Sequence, residues 1–120
     1  MEDAVKRMCN DIFTELGPGH SESIYHNALK VALRFENVPY ETERIIPLEY
    51  MGTYVGCVRS DLVVNRNFVV ELKATTSLNV SHKIQLTKYL KYLEGVDRGL
   101  LVNFPLRGDR VEYYSSLSME

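Results

Sequence analysis

The chain predicts an α/β fold, a mixed β-sheet flanked by helices, on three observations. The first third carries apolar residues at helical spacing, and from Tyr40 the pattern changes to short β-branched and aromatic runs. A further helical stretch then separates two of those runs. A strand–helix–strand crossover of this kind pairs its strands in parallel inside a mixed sheet. The expected order is α-α-β-β-β-α-β-β.

Each element has its own signal. Residues 3–16 place Ala4, Val5, Met8, Ile12, Phe13 and Leu16 on one helical stripe, which Gly17-Pro18-Gly19 stops. Ser21 can cap a second helix running to about Glu36, with Ile24, Tyr25, Ala28, Leu29, Ala32 and Leu33 apolar. Ile45 to Tyr50 reads as a strand, and Pro47 within it suggests an edge or a bulge. Met51-Gly52-Thr53 turns the chain. Tyr54 to Val64 reads as a second strand and Phe68 to Ala74 as a third, hinged at Asn65-Arg66-Asn67 as a hairpin. Asn79 or Ser81 opens a helix to about Glu94, with Gly95 at its end. Leu100 to Phe104 and Val111 to Tyr114 complete the sheet around a Gly108-Asp109 turn.

The 120 residues suit one domain with a real core. Net charge of −2 counts against a protein that coats nucleic acid by bulk charge, though not against an enzyme with its cations on one face. Cys9 and Cys57 have neither metal nor disulfide spacing, and His20, His26 and His82 form no zinc motif. No stretch has the length of a membrane span, and the N-terminus lacks a signal pattern. An intracellular protein without a membrane partner is expected.

The informative residues interrupt the apolar strands. Glu71 and Lys73 alternate with Val70, Leu72 and Ala74, so the two charges share one face. Buried charges are costly unless paired or bound to metal. Asp61 lies on the preceding strand, where a tight hairpin would bring it beside Glu71. Two carboxylates beside a lysine suit Mg²⁺, a hard cation that takes oxygen ligands, and phosphodiester hydrolysis. The bland alternative is an ordinary strand whose Glu71 and Lys73 face solvent. Glu22 shares a helix face with Tyr25 and Leu29; it is either a first-turn acid answering the helix dipole or an acid aimed at the same site. Gln85 and Tyr89, four apart, either mark a helix boundary or support a bound phosphate or metal ligand. Lys83, Lys88, Lys91, Arg98, Arg107 and Arg110, gathered on one face with Arg59 and Lys73 of the central strands, would form a phosphate-tracking rim, or else simply a solvated surface.

These segments also carry a resemblance. Gly19-His20-Ser21-Glu22-Ser23-Ile24-Tyr25 matches the signature of the GxxExxY family. Arg59-Ser60-Asp61-Leu62-Val63-Val64 and Val69-Val70-Glu71-Leu72-Lys73-Ala74 resemble the core of the PD-(D/E)xK nuclease superfamily, to which that family looks related. Gln85-Leu86-Thr87-Lys88-Tyr89 is similar to the Gln-x-x-x-Tyr motif of its exonuclease-like branch. The likeness runs from about Leu16 to Phe104. It departs at Ser60, where the superfamily usually has proline.

The resemblance implies a restriction-endonuclease-like fold and a Mg²⁺-dependent nuclease, with Mn²⁺ able to substitute. It implies Asp61 and Glu71 as metal ligands, the Leu72 carbonyl and Glu22 as further ones, Lys73 beside the attacking water, and Gln85 and Tyr89 as supporting residues. The expected partner is nucleic acid, DNA ahead of RNA. A catalytically inactive module binding nucleic acid or protein is the alternative, and a homodimer whose partner supplies a substrate clamp stays open.

Overall fold

Apolar residues recurring every three to four positions give the first two helices one buried stripe each. Helix α1 (Glu2–Leu16) buries Val5, Met8, Cys9, Ile12 and Phe13; helix α2 (Glu22–Phe35) buries Tyr25, Leu29 and Leu33. The computed structural model describes residues 1–117. Ser21 does precede α2, but its hydroxyl caps nothing and instead meets the Ser23 hydroxyl at 3.2 Å.

The strands are β1 (Tyr40–Thr42), β2 (Ile45–Tyr50), β3 (Thr53–Arg59), β4 (Leu62–Val64), β5 (Phe68–Lys73), β6 (Arg98–Asn103) and β7 (Glu112–Leu117). Five of them form one mixed sheet in the order β1-β4-β5-β6-β7. Helix α3 (Val80–Tyr92) carries the chain from β5 to β6, and these two strands pair in parallel as the crossover requires. Asn79 closes a capping box with His82 at the start of α3, so of the two expected caps Asn79 is the one used. Gly95 lies beyond the helix end at Leu93, in the turn towards β6.

Two expectations need correction. The run Tyr54–Val64 is not one strand. Its first part is β3, which pairs with β2 in a separate two-stranded sheet; its second part is β4, inside the main sheet. The break falls at Ser60-Asp61, so Asp61 sits in a bend between strands rather than on one. Strand β1 was not expected. Tyr-Glu-Thr has no apolar alternation of its own and is held as a strand by pairing with β4. Of the two readings of Pro47, the edge strand holds, since β2 pairs only with β3; an irregularity also falls next to it, between Leu48 and Glu49.

The sheet separates two apolar layers. Leu62, Val64, Phe68, Val70, Leu72, Leu100, Val102 and Phe104 pack against α1 and α2. Val63, Val69 and Leu101 point the other way, towards Leu86, Tyr89 and Leu90 of α3 and Ile46 of β2. α3 sits close to the sheet because Gly99 lies beneath it. A Cβ there would come within 2.7 Å of the Leu86 side chain and 2.9 Å of that of Val69. No helix among the described residues is long and apolar enough to cross a membrane.

Candidate functional site

The β4–β5 ladder brings the first two acids together. Its loop, Asn65 to Asn67, runs through left-handed backbone at Asn65 and Arg66, and Asn tolerates that conformation. Leu62 pairs with Val70, so the next step along the ladder sets Asp61 opposite Glu71. Reciprocal bonds clasp the pair. The Asp61 amide donates to Glu71 Oε1 at 3.0 Å, and the Leu72 amide donates to Asp61 Oδ2 at 3.0 Å.

Glu71 is almost fully enclosed at 3% exposure, on the face covered by α3. Burial, and then the neighbouring Asp61 charge, push its carboxyl up to about 9, while Lys73 pulls the other way without offsetting them. A buried carboxylate with so little compensating positive charge is a site that favours a cation. Lys73, two residues on, shares that strand face. Leu72 buries its side chain in the opposite layer, so only its main chain faces the acids.

Glu22 reaches the same neighbourhood from α2. Partial burial and the Asp61 charge hold its carboxyl above the usual range, with Lys73 opposing. The loop that delivers it is tied down by Tyr25. The Tyr25 hydroxyl donates to the Gly17 carbonyl at 2.6 Å and accepts from the His20 amide at 3.2 Å. Its ring stacks on Phe104 with centroids 4.2 Å apart. Gly19, at φ +92°, is the residue that lets the loop turn back towards the tyrosine. The spacing of Gly19, Glu22 and Tyr25 therefore encodes one device: a glycine bend, an acid at the helix start and a phenol that fastens the bend.

From α3, Gln85 Nε2 donates to the Tyr89 hydroxyl at 3.0 Å. Burial, followed by the charges of Glu71 and Asp61, pushes that phenol up to about 12, so it lies in the field of both acids. Beside Glu22 and Lys73 opens a shallow depression of about 610 Å³ that His20, Thr75 and His82 also line. A smaller hollow at Tyr40, Arg44 and Arg66 and a groove between α1 and α2 involve none of these residues.

The sequence reading missed two residues. His26, one turn beyond Glu22, lies in the field of Asp61; burial lowers its imidazole pKa while the Asp61 charge opposes this. The four-residue spacing of Glu22 and His26 puts both on one face of α2, a signal present in the sequence although His26 fits no zinc motif. Asn103 is fully buried and grips the Thr75 peptide from both sides, accepting from its amide at 2.9 Å and donating to its carbonyl at 3.1 Å. It fixes the segment just after Lys73, and only the sheet register brings it there. The expected basic rim does not assemble whole. Arg98 begins β6 at the far end of the sheet, opposite Phe68, and Arg110 lies beside α1.

Among the described residues, no three His, Cys, Asp or Glu side chains meet as a ready-made metal cluster. Asp61 and Glu71 meet; Glu22 stands off. Two carboxylates and a backbone carbonyl are nonetheless the hard oxygen donors that a Mg²⁺-type cation takes, with water or phosphate completing its shell.

A family model for the PD-(D/E)XK nuclease superfamily matches residues 1–113. The chain belongs to the PD-(D/E)XK nuclease superfamily. The mixed five-stranded sheet, its added hairpin and three helices are accordingly a restriction-endonuclease-like fold. Among solved structures, a crystal structure of SSO0001 is similar, at 27% identity and a TM-score of 0.61. The match covers 81% of this chain and 50% of that one, so this nuclease-superfamily chain spans half the length of that relative. Comparison with curated proteins returns no match.

Proposed function

We propose that this chain is a divalent-metal-dependent nuclease that hydrolyses phosphodiester bonds in nucleic acid, DNA ahead of RNA. The observation that carries the reading is the clasp of Asp61 and Glu71, with the charge of Lys73 and the phenol of Tyr89 in the same field. Asp61 and Glu71 would hold Mg²⁺ or Mn²⁺, joined by the Leu72 carbonyl and, on substrate binding, by Glu22. When bound, the cation acidifies a water and offsets charge on the scissile phosphate.

The remaining roles belong to the chain. The Lys73 ammonium orients the attacking water and stabilises negative charge as it develops on phosphorus oxygens. Gln85 holds the Tyr89 hydroxyl, which is free to donate to a carboxylate or a phosphate oxygen. Tyr25 and Asn103 are positioning residues, one for the Glu22 loop and one for the segment after Lys73. The open depression beside Glu22 and Lys73 admits a polymer rather than enclosing a small molecule.

The test incubates the protein with labelled single- and double-stranded DNA and RNA in Mg²⁺, Mn²⁺ or EDTA. Metal-dependent cleavage is expected, and Asp61→Ala and Lys73→Ala should abolish it. Cleavage that survives both substitutions, or none by the wild type, defeats the enzyme reading.

A further inference from the structure

Helix α3 departs from the rest of the molecule in its charge. The chain carries a net −2, yet Val80–Tyr92 contains Lys83, Lys88 and Lys91 and no acid. None of these three lysines makes an ion pair among the described residues; the pairs found there are Lys6–Glu2, Arg7–Glu36 and Arg44–Glu41. Lys83 and Lys91 rest on aromatic faces instead, 4.9 Å from the Tyr114 centroid and 5.5 Å from that of Tyr92.

Helix stability alone does not explain this pattern. Like charges one turn apart, such as Lys88 and Lys91, weaken a helix, and no acid offsets them. The helix dipole favours Lys91 in the last turn but not Lys83 near the first. The opposite layer behaves differently. There α1 sets Glu2, Asp3, Asp11 and Glu15 against Lys6 and Arg7, and α2 sets Glu22 against Lys30 and Arg34, so acids stand among the cations of that layer. α3 covers the sheet face to which Glu71 points, and its Gln85 and Tyr89 belong to the site just described.

We infer that the exposed ridge of α3 is the surface along which the sugar-phosphate backbone of the substrate runs as it enters the site, with Lys83, Lys88 and Lys91 as its phosphate contacts. The inference rests on the nuclease reading for the word substrate, and on charge and position for the surface. The helix is about 20 Å long at its usual rise, which spans roughly six nucleotides at 3.4 Å each. The cations of α1 and α2 are interleaved with acids, so the acid-free α3 is the side the molecule presents to the polymer.

The experiment measures anisotropy of a fluorescent oligonucleotide about three times that length, single- or double-stranded, in EDTA so that nothing is cut. Salt is varied from about 50 to 200 mM. The variants are the triple Lys83→Gln, Lys88→Gln, Lys91→Gln and a control triple, Lys6→Gln, Arg7→Gln, Arg34→Gln, that removes equal charge from α1 and α2. Thermal melts confirm that both fold. Three lost phosphate contacts lower the log–log salt slope by about 2 for a single strand and nearly 3 for a duplex. The α3 triple should show that drop and the control should not. Equal drops in both, no drop in either, or no binding by the wild type would each overturn the inference. Binding that depends on α3 without any cleavage in Mg²⁺ would overturn the nuclease reading alone.

Discussion

Replacing Glu71 with Gln tests the central feature of the site in a protein that need not be active. Glu71 ionises near 4.5 in an unfolded chain and is pushed up to about 9 in the fold. Between those values the folded state holds a proton that the unfolded state has lost. Stability therefore falls with rising pH across that window, by about 1.36 kcal/mol per unit, and is flat on either side. At pH 7 the accumulated cost is about 3 kcal/mol, carried by the Asp61–Glu71 pair. Gln keeps an oxygen to accept from the Asp61 amide and never ionises. Glu71→Gln should be as stable as wild type near pH 4.5 and more stable by about 3 kcal/mol near pH 7, read from urea unfolding midpoints. Mg²⁺ should add to the wild type and not to the variant, since cation binding to the ionised pair raises stability by about 2.7 kcal/mol at a hundred times its dissociation constant. Parallel pH profiles for the two proteins, or equal Mg²⁺ shifts, would refute the reasoning.

Other substitutions probe the supports. Gly99→Ala would drive a methyl into Leu86 and Val69; it should cost about 1–3 kcal/mol in urea unfolding and lift Gln85 and Tyr89 away from the acids, lowering any cleavage rate. Ser60 buries a hydroxyl that has no partner, so Ser60→Ala should raise stability by about 1 kcal/mol in the same assay. Ser60→Pro should not, because the Ser60 amide donates to the Arg44 carbonyl at 3.1 Å and proline has no such group. Tyr25→Phe keeps the stack on Phe104 but frees the Gly17 carbonyl; it should cost about 1 kcal/mol and raise hydrogen exchange at residues 17–21 while leaving the sheet amides protected.

The departure from the superfamily's proline thus has a local cause: at this position the amide is in use. That cause was not legible beforehand, because it depends on β2 running alongside Ser60. The same limit explains the other misses. Periodicity places α1, α2 and α3 to within a few residues, since each buries its own stripe. It cannot say where a strand changes partners, and Tyr54 to Val64 reads as continuous because only Gly56 and the short polar stretch Arg59-Ser60-Asp61 interrupt it. β1 escapes for the converse reason, being a strand only through β4. Within the site, alternation put Glu71 and Lys73 on one face, and the Asn65–Asn67 loop put Asp61 opposite. His26 and Asn103 act through neighbours that arrive from distant parts of the chain.

The ladder joining Asp61 to Glu71 has no slack. One residue added between Phe68 and Glu71 would exchange the two faces of β5, sending the acid among Tyr25 and Leu29 and setting Val70 opposite Asp61. A residue added at Met51-Gly52, the outer tip of the detached hairpin, changes nothing nearer than its own turn. Variation in length among chains built on this plan is therefore expected at that tip, and the steps from Asp61 to Val64 and from Phe68 to Glu71 are expected to stay constant.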